Sequence, residues 1–239
     1  MHKTEVICFS NQKHSRHIEN LELKIGESSI RPSSHVRNLG ATLDSNMQMD
    51  KHVNLVTQTC YRQIRHISHI RQYLTKSATR TLVNSLVTSR LDYCNSLLYG
   101  VQKSITSKLQ NVQNAAARLI TKTSRFEHVT PILKDLHWLQ IQDRIKYKIL
   151  IQTFKGLHGQ SPVYIRDLLE VYVPNRKLRS ASAATTLVPQ QGRLVTCGDR
   201  CFRVAATRLW NSLPENLRKE TALNSFKRAL KTHLFKLFY

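Results

Sequence analysis

The spacing of apolar residues divides the chain into a short alternating part and a long helical part. Within the first fifty residues, apolar and polar positions alternate in three stretches, at 6–9, 21–25 and 36–43. A period of two is typical of β-strands, so three short strands separated by polar loops are predicted. Three strands are too few for a sheet that is stable by itself.

From position 50 onward, apolar residues recur every three or four positions, which predicts helices with one apolar face. The first such row is Val53, Val56, Cys60, Ile64, Ile67, Ile70 and Leu74. A second helix is expected to follow a Ser77 N-cap, and a third is expected around Leu109. Most basic residues fall off these rows, so the pattern predicts a small helical bundle with a basic exterior.

The remaining part of the chain is also predicted to be mostly helical. Apolar residues of 141–154 occupy two faces of a helix, which is typical of an element wedged between layers. Residues 171–198 have the weakest helical pattern and are predicted to be irregular or to form short strands. A last amphipathic helix is expected to bury one face, formed by Leu223, Phe226, Leu230, Leu234 and Leu237.

These patterns predict a mainly α fold. A small antiparallel β part at 1–49 precedes a basic helical bundle at 50–123, and an α-rich C-terminal extension occupies 124–239.

Charge adds a functional prediction to this fold. The 37 Lys and Arg against 15 Asp and Glu give a formal charge of +22, whereas the 41% of hydrophobic residues is typical of a folded chain. The charge is uneven: net +10 over residues 51–123, +2 over 124–170 and +10 over 171–239. The positive charges within each basic segment repel one another, so a bound polyanion is the favoured interpretation. A generally basic, solvated surface is the alternative.

Targeting signals and cysteine content indicate where in the cell the protein is located. Apolar runs extend only a few residues and the N-terminal region has no apolar signal core, so neither a transmembrane helix nor secretion is predicted. The chain has five cysteines, and this odd number fits reduced thiols better than a disulfide framework. We therefore expect a nuclear or cytoplasmic protein without a membrane partner.

No catalytic or metal site is predicted. The acidic residues include no Asp-Asp pair and no acidic trio, which a two-metal phosphoryl-transfer site would need. Glycine-rich nucleotide motifs are absent from the sequence. Cys197 and Cys201 lack two further ligands at zinc-finger spacing, and His66 with His69 is better explained as part of a basic helix face.

Several strings resemble one protein family, and they do so in the family's order. They lie at 3–9, 36–44, 89–98, 109–120, 136–139, 157–164, 178–180 and 209–214. In these strings the chain resembles the C-terminal part of reverse transcriptases from non-LTR (LINE-type) retrotransposons, in the jockey and chicken-repeat branch. The resemblance extends over almost the whole chain and implies the end of a palm, a helical thumb and a C-terminal extension.

The resemblance implies a role for particular residues. The string at 36–44 is similar to the primer-grip hairpin, with Leu39 and Gly40 at its centre, and Lys3 matches a lysine near the incoming nucleotide's phosphates. The thumb would grip template–primer phosphates, in an RNA–DNA hybrid or another duplex. Basic residues of the helical block are the candidate contacts: Arg62, Arg65, Arg71, Arg80, Lys108, Arg118 and Lys122.

The family's catalytic aspartates would precede Met1. The Mg²⁺ that they bind would belong to that preceding part of the enzyme. The resemblance therefore implies an RNA-directed DNA polymerase fragment that needs no cofactor of its own, is inactive alone and has the rest of the enzyme as a possible partner. Two alternatives stay open. One is a protein-interaction module that uses the apolar faces of 147–154 and 223–237, and the other is a mobile-element remnant without function.

Overall fold

The computed structural model describes residues 4–9, 21–26, 28–173, 185–190 and 198–239. The described chain is mainly helical and begins with a small antiparallel β part, as predicted. That part consists of two sheets of two strands each, whereas three strands were expected. It divides into two compact units: Met1–Arg90 with Val101–Val112, and Leu91–Gly100 with Gln113–Tyr239. We name these unit 1 and unit 2. Lys3 and Cys197 lie outside the described residues.

The two sheets of unit 1 are hairpins. β1 (Leu23–Ile25) pairs with β2 (Ser28–Ile30), and β3 (His35–Asn38) pairs with β4 (Ala41–Asp44). The prediction of a strand at 6–9 is wrong, because among the described residues this stretch joins neither sheet.

The stretch at 36–43 forms two strands, although its alternating pattern alone predicts one. Leu39 and Gly40 have φ angles of 46° and 85°, and they reverse the chain between β3 and β4. A two-residue loop with positive φ at both positions is the geometry of a type I′ turn. Alternation continues across such a turn, so periodicity by itself does not reveal it.

Helices make up the rest of unit 1. α1 (Asp50–Ile70) is followed by a 3₁₀ turn at Arg71–Tyr73. α2 (Lys76–Val83) continues through a π-helical turn at Asn84–Thr88 into α3 (Ser89–Asp92), and α4 is Lys103–Thr121. The division between the two units runs within α3 and within α4.

The N-cap of α2 is Thr75 and not Ser77. The Thr75 side-chain oxygen accepts a hydrogen bond from the backbone N–H of Ala78 at 3.1 Å. A hydroxyl that accepts from the third following residue satisfies one of the free N–H groups at a helix start, so α2 begins two residues before the predicted position.

The inner face of α1 packs against β4, α2 and the π-helical turn. Val53, Cys60 and Ile67 are buried there, as predicted, whereas Ile70 is 46% exposed. Ile70 is the last residue of α1, and the chain leaves the helix axis in the 3₁₀ turn directly after it. The predicted apolar row therefore ends at Ile67.

In the part of unit 2 that the structure describes, six further helices follow. They are α5 (Val129–Asp135), α6 (Ile141–Leu157), α7 (Val163–Arg166), α8 (Phe202–Asn211), α9 (Glu215–Arg218) and α10 (Leu223–Phe238). α6 packs against α8, α10 and the 3₁₀ turn at Asn95–Leu98. Its buried residues Ile145, Ile149, Leu150 and Phe154 lie on more than one face, which confirms the predicted wedged helix.

An aromatic cluster lies at the centre of unit 2. The Phe154 and Phe226 rings stack with centroids 4.4 Å apart, and Trp210 lies 5.7 Å from Phe226. The Trp210 indole N–H donates to the Thr185 carbonyl at 2.9 Å. Leu237 was predicted on the buried face of α10 but is 71% exposed, because the buried row ends at Leu234.

The described part of 171–198 contains one short antiparallel contact. Val171 and Leu187 form an isolated bridge, and the Tyr172 N–H donates to the Thr186 carbonyl at 2.8 Å. This agrees with the expected short-strand pairing; residues 174–184 and 191–197 lie outside the described chain. Among the described helices, none is both long enough and apolar enough to cross a membrane.

Candidate nucleic-acid interface

The solvent-facing side of α1 is the strongest candidate interface. Its exposed basic side chains, which we name the α1 basic face, are Lys51, Arg62, Arg65, His66 and His69. Steps of three, four, seven and eleven residues bring them to one side of the helix. From the first to the last, the face extends roughly 27 Å at 1.5 Å per residue.

The α1 basic face keeps its positive charge. Asp50 is the only acidic residue of α1, and its carboxylate lies 3.1 Å from the Lys108 ammonium. Among the described residues, no carboxylate forms an ion pair with Arg62 or Arg65. The guanidinium groups of this face are therefore available to an external anion.

Two other predicted contacts of unit 1 bond to the protein itself. Arg71 is 9% exposed, and its Nη1 donates to the Leu74 carbonyl at 2.8 Å. Lys108 donates to Asp50 and, at 2.9 Å, to the Asn54 side-chain oxygen. Both side chains hold the ends of α1 in place. Arg80 is exposed on α2.

The remaining two predicted contacts belong to unit 2. Arg118 donates from Nη2 to the Glu127 carbonyl at 3.0 Å, and its buried Nε has no hydrogen-bond partner within the described chain. Lys122 is exposed just after α4, with a φ of 58°. The seven predicted residues therefore divide into five in unit 1 and two in unit 2.

The tip of the β3–β4 hairpin presents an apolar side chain to solvent. Leu39 is 84% exposed and has a φ of 46°. A non-glycine residue in this left-handed region is strained by about 1 kcal/mol or more. An exposed leucine on a strained turn is unusual for a purely structural loop, and such strain is found most often at functional sites.

Two side chains that sequence reasoning missed attach this hairpin to α1. The Asp44 carboxylate accepts from the backbone N–H groups of Gln48 and Met49, both at 2.8 Å. Nδ1 of His52 accepts from the Thr42 N–H at 3.3 Å. Burial lowers the pKa of His52 below its ordinary value of 6.5, which keeps this nitrogen unprotonated at neutral pH.

A signal for one of these residues is present in the sequence. Asp44 ends a strand six residues before the start of α1, a placement in which aspartate commonly caps a turn. His52 has no such signal, because its contact depends on how β4 packs against α1.

Nucleophiles and metal ligands do not assemble into a site in the described part of the chain. Burial raises the pKa of the Cys60 thiol to about 11, with Arg90 opposing that shift, so the thiolate form is rare at neutral pH. No three His, Cys, Asp or Glu side chains among the described residues lie close enough together to hold a metal ion.

A known protein is similar to part of this chain. Over 164 residues, the chain is 28% identical to a Drosophila melanogaster protein named "Probable RNA-directed DNA polymerase from transposon BS". This chain contains a region related to a transposon reverse transcriptase. The match includes 64% of this chain but only 17% of the relative. No protein-family profile and no solved structure matches the chain.

Proposed function

We propose that the chain is a C-terminal, thumb-containing part of a non-LTR retrotransposon reverse transcriptase of the jockey and chicken-repeat branch. In this proposal it binds a template–primer duplex, such as an RNA–DNA hybrid. The α1 basic face is the observation that carries the proposal, because it is long, exposed and not neutralised by acidic side chains. The relationship to a transposon RNA-directed DNA polymerase supports the same class of ligand.

The chemistry of the α1 basic face suits phosphates better than bases. The planar guanidinium groups of Arg62 and Arg65 can form paired hydrogen bonds to phosphate oxygens. Contacts to phosphates carry no sequence information, so binding should tolerate any sequence and weaken steeply with salt. If roughly 5 phosphates are neutralised, the log–log salt slope should be about −4.5.

The β3–β4 hairpin supplies the second element of the proposal. Leu39 and Gly40 would hold the primer end, as the resemblance to a primer grip implies. The bonds from Asp44 and His52 support this role, because they hold the hairpin against α1 within unit 1. Lys3, Arg80 and Lys122 remain further proposed phosphate contacts.

In this proposal, polymerisation needs another part of the enzyme. The described residues contain no carboxylate cluster that fits Mg²⁺, so we assign the two-metal chemistry to a different region of the polymerase. The chain should bind a duplex without extending a primer.

Charge reversal on the α1 basic face tests the proposal. The full chain is titrated against a fluorescein-labelled RNA–DNA hybrid at several salt concentrations, with anisotropy as the readout. Replacing both arginines, Arg62→Glu and Arg65→Glu, should lower affinity at least about tenfold and reduce the salt slope by about 1.8. Arg118 is unsuitable for this variant, because its guanidinium bonds to the Glu127 carbonyl and reversal would disturb the fold.

The matched control reverses two exposed cations of unit 2, Lys148→Glu and Arg166→Glu. Lys146 is excluded from the control because it lies 3.0 Å from the Asp143 carboxylate. The control should change hybrid affinity less than the variant of the α1 basic face does. Equal losses in the two variants would show general attraction to a basic protein and would refute this interface.

Most of the apolar surface on which the protein-interaction alternative was based is buried, although Leu237 is exposed. Phe154, Phe226 and Leu230, from the two apolar faces in question, are buried against one another inside unit 2. A partner protein could not reach these side chains without unfolding that unit.

A further inference from the structure

The last helix of unit 2 carries a second basic surface that the proposed duplex site does not use. α10 contains no acidic residue, and its exposed cations are Arg228, Lys231 and Lys236. Its apolar side, formed by Phe226, Leu230 and Leu234, is buried in the core of unit 2. The helix is therefore fixed in place with its charged side toward solvent.

Aromatic rings lie close together toward the C-terminal end of the same helix. The Phe235 ring centroid is 5.7 Å from that of His137 and 4.5 Å from that of Tyr239, and Phe238 meets Tyr239 edge-on at 4.8 Å. Phe238 is 43% exposed. Since Phe235 and Tyr239 follow Arg228 by seven and eleven residues, these three share one stripe of α10. We name the cations and rings together the α10 outer face.

The group of rings is anchored to the protein backbone. The Tyr239 hydroxyl donates to the Trp138 carbonyl at 3.1 Å. Burial, with the nearby Asp143 carboxylate, raises the pKa of Tyr239 to about 12, so this donor keeps its proton at physiological pH. Asp143 itself lies 3.0 Å from the Lys146 ammonium, which offsets its negative charge. The Tyr239 ring, against which Phe235 and Phe238 lie, is therefore held in place before any ligand arrives.

A helix that carries both exposed cations and partly exposed rings matches the chemistry of a single-stranded nucleic acid. Every unpaired base can stack on a ring while its phosphate meets a cation, whereas the bases of a duplex are already stacked on each other. A membrane surface fits less well. A helix that binds a bilayer inserts its apolar side, and Phe226, Leu230 and Leu234 on that side of α10 are buried, although Leu237 near its end is exposed. We propose that the α10 outer face is a binding site for single-stranded RNA or DNA, separate from the α1 basic face.

The test uses the full chain and a short fluorescein-labelled oligouridylate, with anisotropy as the readout. Phe238→Leu keeps an apolar side chain but removes the ring, and should lower affinity about tenfold through lost stacking. The pair Arg228→Gln and Lys236→Gln should lower affinity by a similar factor and reduce the salt slope by about 1.4. Phe238 and both cations are exposed, so circular dichroism should show a folded protein in each case.

Controls separate this site from the proposed duplex site and from a membrane surface. Lys148→Gln with Arg166→Gln removes the same charge from other helices of unit 2 and should change oligouridylate affinity by less than about twofold. Hybrid affinity should fall for the variant of the α1 basic face and stay unchanged for Phe238→Leu. Anionic phosphatidylserine vesicles serve as the competing ligand.

Unchanged oligouridylate affinity in both α10 variants would overturn the inference, whatever the hybrid titration shows. Vesicle binding that depends on Arg228 and Lys236, together with oligouridylate binding that does not, would also overturn it and would assign the face to an anionic lipid surface. Either outcome concerns the α10 outer face alone. If hybrid binding is lost in the variant of the α1 basic face and kept in the α10 variants, the proposed function stands.

Discussion

The two basic regions of this chain have the same net charge, +10 over 51–123 and +10 over 171–239, yet their surfaces differ in chemistry. The buried face of α1 consists of His52, Val53, Cys60 and Ile67, and its outer face combines lysine, arginine and histidine. α10 rests on an aromatic cluster, and its outer face combines cations with rings. Net charge predicts a polyanion in both regions. The side chains around each face are the reason why we propose a duplex for the α1 basic face and an unpaired strand for the α10 outer face.

The largest expected effect concerns what lies beneath α10. Phe226→Ala removes a fully buried ring that stacks on Phe154, so the free energy of unfolding should fall by about 3–5 kcal/mol. Urea denaturation measures this loss, and amide hydrogen exchange should accelerate more in α10 than in α1. Phe238→Ala is the matched control, and its cost should stay below about 1 kcal/mol because the ring is partly exposed. Equal acceleration in α1 and α10 would show that both helices unfold together.

A smaller effect on stability is expected from His52, a buried residue of α1 in unit 1. The pKa of His52 is lowered in the folded protein, so the unfolded chain binds a proton more readily. The stabilisation from His52 is complete above pH 6.5 and is lost as pH falls through the lower folded-state pKa. Protonation of His52 at Nδ1 should also remove the hydrogen bond that the Thr42 N–H donates to this nitrogen, at a cost on the order of 1 kcal/mol.

Urea denaturation of the wild type and of His52→Gln at about pH 7 and about pH 5 measures this effect, since imidazole titrates in this range. The wild type should lose more stability than the variant on acidification. Parallel losses in the two proteins would contradict a role for His52.

The smallest effect separates stability from binding at the hairpin tip. Leu39→Asn places a residue that tolerates positive φ before Gly40, which is the preferred pair for a type I′ turn. The hairpin should gain about 0.5–1 kcal/mol, as measured by thermal unfolding. If Leu39 grips a primer end, hybrid affinity should fall in the same variant. A gain in stability with unchanged affinity would limit Leu39 to a structural role.

Local patterns predicted much of the fold because they depend on residues that are neighbours in sequence. The period of α1, the wedged character of α6 and the short pairing at the Val171–Leu187 bridge all follow from such patterns. The turn at Leu39 was missed by periodicity because strands alternate on both sides of it. The resemblance to a hairpin motif placed it correctly.

The sequence by itself determined the helical periods, the two blocks of positive charge and the likeness to a reverse transcriptase. Only the tertiary structure decided which cations face solvent. Arg62 and Arg71 look equivalent in the sequence, yet Arg71 is buried against the Leu74 carbonyl and Arg62 is exposed. Likewise, His137 joins the rings of α10 only through packing. The reason is physical: periodicity determines which side chains share a face, whereas the carbonyls and rings that meet that face come from distant parts of the chain.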